Sequence, residues 1–333
     1  MQMRSFPPTL RVLGVLAIGS IASTARTSGI SFSGPVQTPE FQETQEKQAP
    51  ISVRTNLVDL PISVTNRKGD FVDGLQQENF HVFENGREAK ISIFGRQDLP
   101  VAVGIVVDHS ASMGPKLREI AAAAEAFARS SNAQDHLFVV NFNEQVPIAL
   151  PAAKPFTSDE NELRSALAEN SARGQTALYD AVMDGLSHLE KSSLKRQALI
   201  LVTDGGDNVS THTLKETLDA AMKSRAQIFC IGIYNGEDPD ASPRVLRKLA
   251  KATGGEAYFP ASPAEVSDIT RKIAVNLRKQ YTLGFEPADR VEGWRKIKVI
   301  AAGNEKLTVH ARAGYVFSSN QTTPGAGSSG EER

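Results

Sequence analysis

Cysteine is nearly absent: Cys230 is the single thiol in 333 residues, so no disulfide can form within the chain. It lies in Gln227-Ile228-Phe229-Cys230-Ile231, an apolar strand pattern in which a thiol packs as a small inert hydrophobe. An excess of one charge is also missing. With 37 Lys and Arg against 38 Asp and Glu the formal net charge is −1, which leaves no broad basic surface for nucleic acid. There is no Gly-Lys-Ser or Gly-Lys-Thr phosphate loop to support nucleotide chemistry. The six histidines, His81, His109, His136, His188, His212 and His310, include no pair at zinc-ligand spacing such as His-x-x-x-His. Asp108, His109 and Ser110 hold the residue types of a hydrolytic triad. Neighbours on one extended segment cannot converge side chain to side chain, so the chain reads as a non-enzyme.

The apolar stretch 12–22 is interrupted by Gly14 and Gly19 and is short for a bilayer span. Arg4 and Arg11 precede it and Ser23-Thr24-Ala25 offers small residues for cleavage, so residues 1–25 read as a secretory signal peptide. That predicts a secreted, periplasmic or cell-envelope protein, attached to a membrane only if the segment stays uncleaved. Residues 26–50, rich in Ser, Thr, Gln, Pro and Glu, read as a disordered linker, and residues 318–333 as a disordered tail.

Against these absences stands one unbroken apolar run, 101–107, with the Val-rich composition of a strand buried on both faces of a parallel sheet. It ends in Asp108-His109-Ser110-Ala111-Ser112, at the carboxyl edge where open α/β sheets bind ligands. A second such run, 198–203, ends in Asp204-Gly205-Gly206-Asp207 and delivers another carboxylate to the same edge. Between them Gly174-Gln175-Thr176 precedes the helical pattern Leu178, Val182, Leu186, Leu189, so Thr176 lies near a helix start. Two carboxylates and three hydroxyls suit a hard cation such as Mg²⁺, with Mn²⁺ or Ca²⁺ as alternatives. Mg²⁺ takes near-octahedral oxygen coordination and keeps several waters, leaving a position for an incoming acidic group.

These residues resemble the von Willebrand factor type A domain and its metal-ion-dependent adhesion site. The family's Asp-x-Ser-x-Ser corresponds to Asp108, Ser110 and Ser112, its separate threonine to Thr176, and the aspartate of its Thr-Asp-Gly to Asp204. The resemblance implies that the hydroxyls ligate directly, that the aspartates act largely through water, and that the metal captures a carboxylate of a protein partner. Helical and strand patterns alternate through 98–279, which reads as one doubly wound, mainly parallel α/β domain. Thr157-Ser158-Asp159-Glu160 and Ser262-Pro263-Ala264-Glu265 read as capping boxes within it. A first helical pattern, 116–130, starts at Lys116, and the helix after Ser262 is expected to bury Val266, Ile269, Ile273 and Leu277 and to turn Arg271, Lys272, Arg278 and Lys279 to solvent.

The flanking segments are β in character. Leu60, Ile62 and Val64 alternate, as do Phe80 and Val82, and Asn85-Gly86 predicts a hairpin turn before Ile91 and Ile93. After the α/β region Tyr281, Leu283 and Phe285 alternate, then Ile297 and Val299, then Leu307 and Val309 across a Gly303-Asn304 turn. Arg295, Lys296 and Lys298 are expected on the solvated face of a strand. Neither segment alone buries enough apolar surface for stability, so 51–97 and 280–317 are expected to pair in one small β-sandwich-like domain into which 98–279 is inserted. This layout, with Val64-Thr65-Asn66-Arg67-Lys68-Gly69, Asn79-Phe80-His81-Val82-Phe83-Glu84-Asn85-Gly86 and Gln280-Tyr281-Thr282-Leu283-Gly284-Phe285, resembles over about 51–317 secreted bacterial proteins with a von Willebrand factor type A-related domain, common in acidobacteria. The expected function is a secreted, metal-dependent protein-binding or adhesion module. The alternative is a structural or assembly component of an envelope complex whose metal only stabilises loops. The partner and the oligomeric state are not legible in the sequence.

Overall fold

The computed structural model describes residues 57–168, 172–234, 242–303 and 305–318. The expected signal peptide and linker, the start of the first β segment, Asn304 and all but the first residue of the expected tail lie outside the described residues. Among the described residues no helix is long and apolar enough to cross a membrane.

The first segment forms β1 (Val58–Thr65), β2 (Phe80–Glu84), β3 (Arg87–Ala89) and β4 (Ile91–Gly95). Alternation sets their faces: Leu60, Ile62 and Val64 are buried on β1, and Phe80 and Val82 on β2. Asn85 and Gly86 both have positive φ, 48° and 84°, as a two-residue hairpin turn requires. The turn forms where expected and joins β2 to β3, ahead of Ile91 and Ile93. Those residues lie in β4, which joins a different sheet.

The α/β region comprises β5 (Val101–Asp108), α1 (Leu117–Arg129), β6 (His136–Phe142), α2 (Glu160–Ala168), α3 (Leu178–Leu189), β7 (Arg196–Thr203), α4 (Leu214–Lys223), β8 (Gln227–Gly232), α5 (Pro243–Thr253), β9 (Ala257–Tyr258) and α6 (Val266–Arg278). Five parallel strands run in the order β6-β5-β7-β8-β9, and every residue of β5 is buried. Gly104 allows the close packing, because an added Cβ there would meet Leu199 Cδ2 at 2.6 Å and the Phe138 ring. Register aligns Asp108 with Phe142 and Val107 with Val202, so β5 and β7 finish level with each other. Neither expected capping box forms as drawn. Asp159 accepts the amides of Asn161 and Glu162 at 2.7 and 3.1 Å while Thr157 donates to the Glu162 carboxylate, and the Ser262 hydroxyl donates to the Glu265 side chain rather than capping an amide.

The last segment supplies β10 (Tyr281–Phe285), β11 (Gly293–Ala301), β12 (Thr308–His310) and β13 (Gly314–Phe317). Two four-stranded antiparallel sheets result, in the orders β12-β1-β10-β4 and β13-β11-β2-β3, and each mixes strands from both sides of the α/β region. Among the described residues β12 pairs with β1, in a different sheet from β11, so the strands on either side of the expected 303–304 turn are not hairpin partners. The sheets share a core in which Phe80 and Tyr281 lie 5.2 Å apart and Phe285 and Tyr315 6.3 Å apart, separate from the core of the parallel sheet.

The joint lies at the amino ends of the parallel strands. Arg196, at the start of β7, donates to Leu277 O and to Thr282 Oγ1 at 3.3 and 3.2 Å, and Asn276 donates to Ser63 Oγ at 2.9 Å. Arg312 closes the end of α4 by donating to the carbonyls of Met222 and Ser224 at 2.9 and 2.7 Å; burial lowers its pKa to about 10. Arg278, expected in solvent, is largely covered and pairs with Asp135 at 2.6 Å.

Arg295 is the main departure from the expected surface. It alternates inward with Ile297 while Lys296 and Lys298 face water, and it pairs with Glu84 at 3.2 Å and stacks on Phe317. Tyr315 donates to the same Glu84 at 2.5 Å. Removing the cation from a buried pair strands the other charge, so Arg295→Ala should cost about 3 kcal/mol or more. Lys298→Ala should change stability by less than about 0.5 kcal/mol. Urea unfolding of both variants checks this, and equal losses would contradict the burial assignment.

Candidate metal centre

Asp108 is the last residue of β5 and is completely buried, which would be unfavourable for a carboxylate without partners. Two are supplied: the Ser110 amide donates to Oδ1 at 2.8 Å, and the hydroxyl of Thr203, last residue of β7, donates to Oδ2 at 2.6 Å. Burial nevertheless dominates and pushes the Asp108 carboxyl up to about 6, with nearby Asp204 adding to the rise.

The chain then leaves the strand through a short 3-10 turn, 111–116, which carries Ser112 outward to an exposed position. Ser110 and Ser112 hydroxyls lie 3.3 Å apart, and Ser112 donates to Asp204 Oδ1 at 2.9 Å. Thr176 sits two residues before α3. Its amide donates to Asn208 Oδ1 at 2.8 Å and its carbonyl accepts from the Asn208 amide at 3.1 Å, which ties it to the loop after β7. An added Cβ at Gly205, next to Asp204, would lie 3.9 Å from the Thr176 hydroxyl.

The three loops are stitched together by backbone as well. Ala111 donates to Gly174 O at 3.3 Å and Arg173 to His109 O at 2.8 Å. Gly174 has φ 74° and leaves the space that the Glu144 carboxylate fills, while that carboxylate accepts the Gln175 amide at 3.1 Å. Orphan amides of the first turn of α3 are met by the loop after β7: Tyr179 and Asp180 donate to Ser210 Oγ at 3.0 and 3.1 Å.

Direct hydrogen bonds thus link Ser110, Ser112 and Asp204; Thr203 and the Ser110 amide hold Asp108 beside them, and Asn208 holds Thr176. All the side chains are oxygen donors. Among the described residues no group of three or more His, Cys, Asp or Glu side chains is placed to hold a metal. The donor set here, two carboxylates with three hydroxyls, is chemically suited to a divalent cation.

Sequence reading missed one group at the centre of this arrangement. Lys116, taken as the start of the first helix, is buried, and its ammonium donates to Asp204 Oδ2 and, at 3.1 Å, to Ile233 O. A lone Lys at a helix start looks like a solvated residue, and only its reach across the β7 and β8 ends shows otherwise. Thr203 and Asn208 were likewise invisible as supporting groups, although Thr203 immediately precedes Asp204.

A family model for the von Willebrand factor type A domain matches residues 103–272, just over half of the chain. The chain belongs to the von Willebrand factor type A domain family. No curated protein sequence matches it. Similar solved structures include a von Willebrand factor type A protein from Catenulispora acidiphila, 16% identical, covering 80% of this chain and 76% of that one with a TM-score of 0.48. They also include the domain of the type V pili tip protein Mfa5 from Porphyromonas gingivalis, 13% identical over 55% of this chain and 97% of that one, TM-score 0.44. A third is proximal thread matrix protein 1 from the mussel byssus with a zinc-occupied adhesion motif, 17% identical over 55% and 49%, TM-score 0.45.

In this von Willebrand factor type A domain the raised Asp108 pKa has a consequence for stability. The unfolded carboxyl titrates near 3.8 and the folded one near 6. The folded state therefore binds the extra proton between these values, and the contribution to stability is full below about 4, declines as pH rises, and is lost above about 6. The difference corresponds to about 3 kcal/mol. In the presence of chelator Asp108→Asn should melt several degrees above wild type at pH 7.5, with the advantage fading towards pH 4. A variant that melts lower at pH 7.5 would show that the ionised carboxylate is stabilising there.

Proposed function

We propose that this domain is a metal-dependent protein-binding module. Asp108, Ser110, Ser112, Thr176 and Asp204 would hold Mg²⁺, or Mn²⁺ or Ca²⁺ in its place. The observation that carries this reading is the gathering of two carboxylates and their hydroxyl neighbours at one carboxyl edge, with Ser112 exposed and oxygen as the only donor type. When bound, such a cation supplies an electrophilic position for a carboxylate of a partner. Both Asp108 oxygens already accept hydrogen bonds from the chain, which suits a carboxylate that orients bound water more than one that ligates directly. The triad residue types at 108–110 do not alter this: His109 and Ser110 are buried behind the turn, and we read the domain as an interaction module rather than an enzyme.

The location we propose is the cell envelope or exterior, as the signal-peptide pattern of residues 1–25 suggests. We also read 98–279 as an insertion in a small domain built from 51–97 and 280–317, the layout of the secreted acidobacterial-type proteins; the strand orders support this reading. Ending the chain at residue 279 should then leave β1–β4 open to limited proteolysis while 101–278 stays protected. Equal protection of both would sink the insertion reading.

A competing reading, an envelope assembly component with contacts elsewhere, is favoured by exposed apolar side chains at the start and end of β11. Val291, Trp294 and Ile300 are 70%, 43% and 40% exposed. Metal dependence separates the two. A cation that binds the folded state should stabilise it by about 1.4 kcal/mol at roughly tenfold its Kd, so the melting temperature should rise with Mg²⁺ or Mn²⁺. Asp204→Ala should remove that rise. Partner capture from an envelope extract should stop on chelation and in this variant. A partner retained under both conditions would favour the assembly reading.

A further inference from the structure

The five oxygen-bearing residues are not the only charged feature at this edge, because the chain brings a cation of its own. Lys116 follows Pro115 at the end of the 3-10 turn, and its ammonium donates to Asp204 Oδ2 and to Ile233 O at 3.1 Å. Both side chains are withdrawn from water, with 6% exposure for Lys116 and 1% for Asp204. The other Asp204 oxygen accepts from Ser112 at 2.9 Å, and Ser112 lies 3.3 Å from Ser110. Asp204 is therefore divided: one oxygen meets an internal ammonium, the other meets the hydroxyls of the candidate metal centre.

We propose that Lys116 is a tethered counter-cation of this centre, which neutralises Asp204 in the chelated protein and holds down the site's affinity for a divalent cation. The proposal rests on the metal-binding reading above. Two carboxylates, Asp108 and Asp204, are buried at the same edge, and pairing one with an ammonium relieves the cost of leaving both uncompensated. A divalent cation must then share Asp204 with a like charge in a place that solvent and salt screen poorly. The count of charges gives the second consequence. Two carboxylates and a divalent cation alone sum to zero; with the Lys116 ammonium the loaded site carries one net positive charge. That surplus favours an anionic group, such as a carboxylate of a partner, at the open position. Lys116 is thus a positioning and affinity-setting residue that acts through Asp204.

The test uses the full chain with Lys116→Met and Lys116→Gln. Calorimetric titration with Mn²⁺ and with Mg²⁺ reads affinity, and melting in chelator reads the stability of the protein without metal. Both neutral variants should bind Mn²⁺ at least tenfold more tightly than wild type while melting at a lower temperature in chelator. Lys116→Arg, which keeps the charge, should stay within about threefold of wild-type affinity. A purely structural ion pair would lower the melting temperature but leave metal affinity unchanged or weaker, and that result overturns the proposal. So would failure of both neutral variants to fold even with Mn²⁺ present, since the lysine would then be a structural requirement. If wild type and Lys116→Gln bind Mn²⁺ equally, the metal reading survives and only the role of the lysine is lost. If neither binds either cation, the metal reading falls and takes this inference with it. Binding by Lys116→Gln alone supports the proposal in its strongest form.

Discussion

Holding the Asp108 carboxylate out of water at the end of a fully buried strand is the constraint that organises this edge of the molecule. The Thr203 hydroxyl reaches Asp108 only because β5 and β7 run parallel in a register that ends both at one level. The Ser110 amide reaches it only because the chain turns immediately into a 3-10 turn. That turn in turn delivers Ser112 and Lys116 to the two oxygens of Asp204. The contacts to Asp108 and Asp204 thus answer the desolvation of the two carboxylates, and burial still holds the Asp108 carboxyl above its ordinary range, at about 6.

The antiparallel sheets relate to this edge by distance. Their connections to the α/β region, through Arg196, Asn276 and Arg312, gather at the amino ends of the parallel strands. An eight-residue strand is about 26 Å long, so the carboxyl edge lies well away from them. Ser112 is therefore surrounded by loops rather than by the second core. The buried apolar residues accordingly fall into two separate clusters, one for the parallel sheet and one for the antiparallel sheets.

Local pattern carried far where one interaction dominated. The runs 101–107 and 198–203, their parallel pairing, the α3 start after Thr176 and the inward alternation of Leu60, Ile62 and Val64 were all readable, because burial on one or both faces of a strand forces the period. The hairpin turn at Asn85-Gly86 was readable, but not which sheet each following strand joins. Positive φ is a property of two residues, whereas the pairing of β3 with β2 and of β4 with the distant β10 depends on contacts far apart in the chain. Arg295 was assigned to solvent as part of a charged cluster, and Arg278 by the polar face of its helix. Their burial depends on Glu84, more than two hundred residues away from Arg295, and on Asp135 across the fold from Arg278.

The sequence by itself determined the residue types at the candidate centre, the order in which the chain presents them, and the strand ends that carry Asp108 and Asp204. These follow from short-range spacing and from the apolar runs that precede each carboxylate. Tertiary structure alone decided that Lys116 shares Asp204, that Thr203 and Asn208 support the neighbouring groups, and that strands from the two flanking segments interleave in both sheets. The reason is physical: an ion pair or a strand pairing depends on distance in space and on the water removed around it, and neither quantity is written in the separation of residues along the chain.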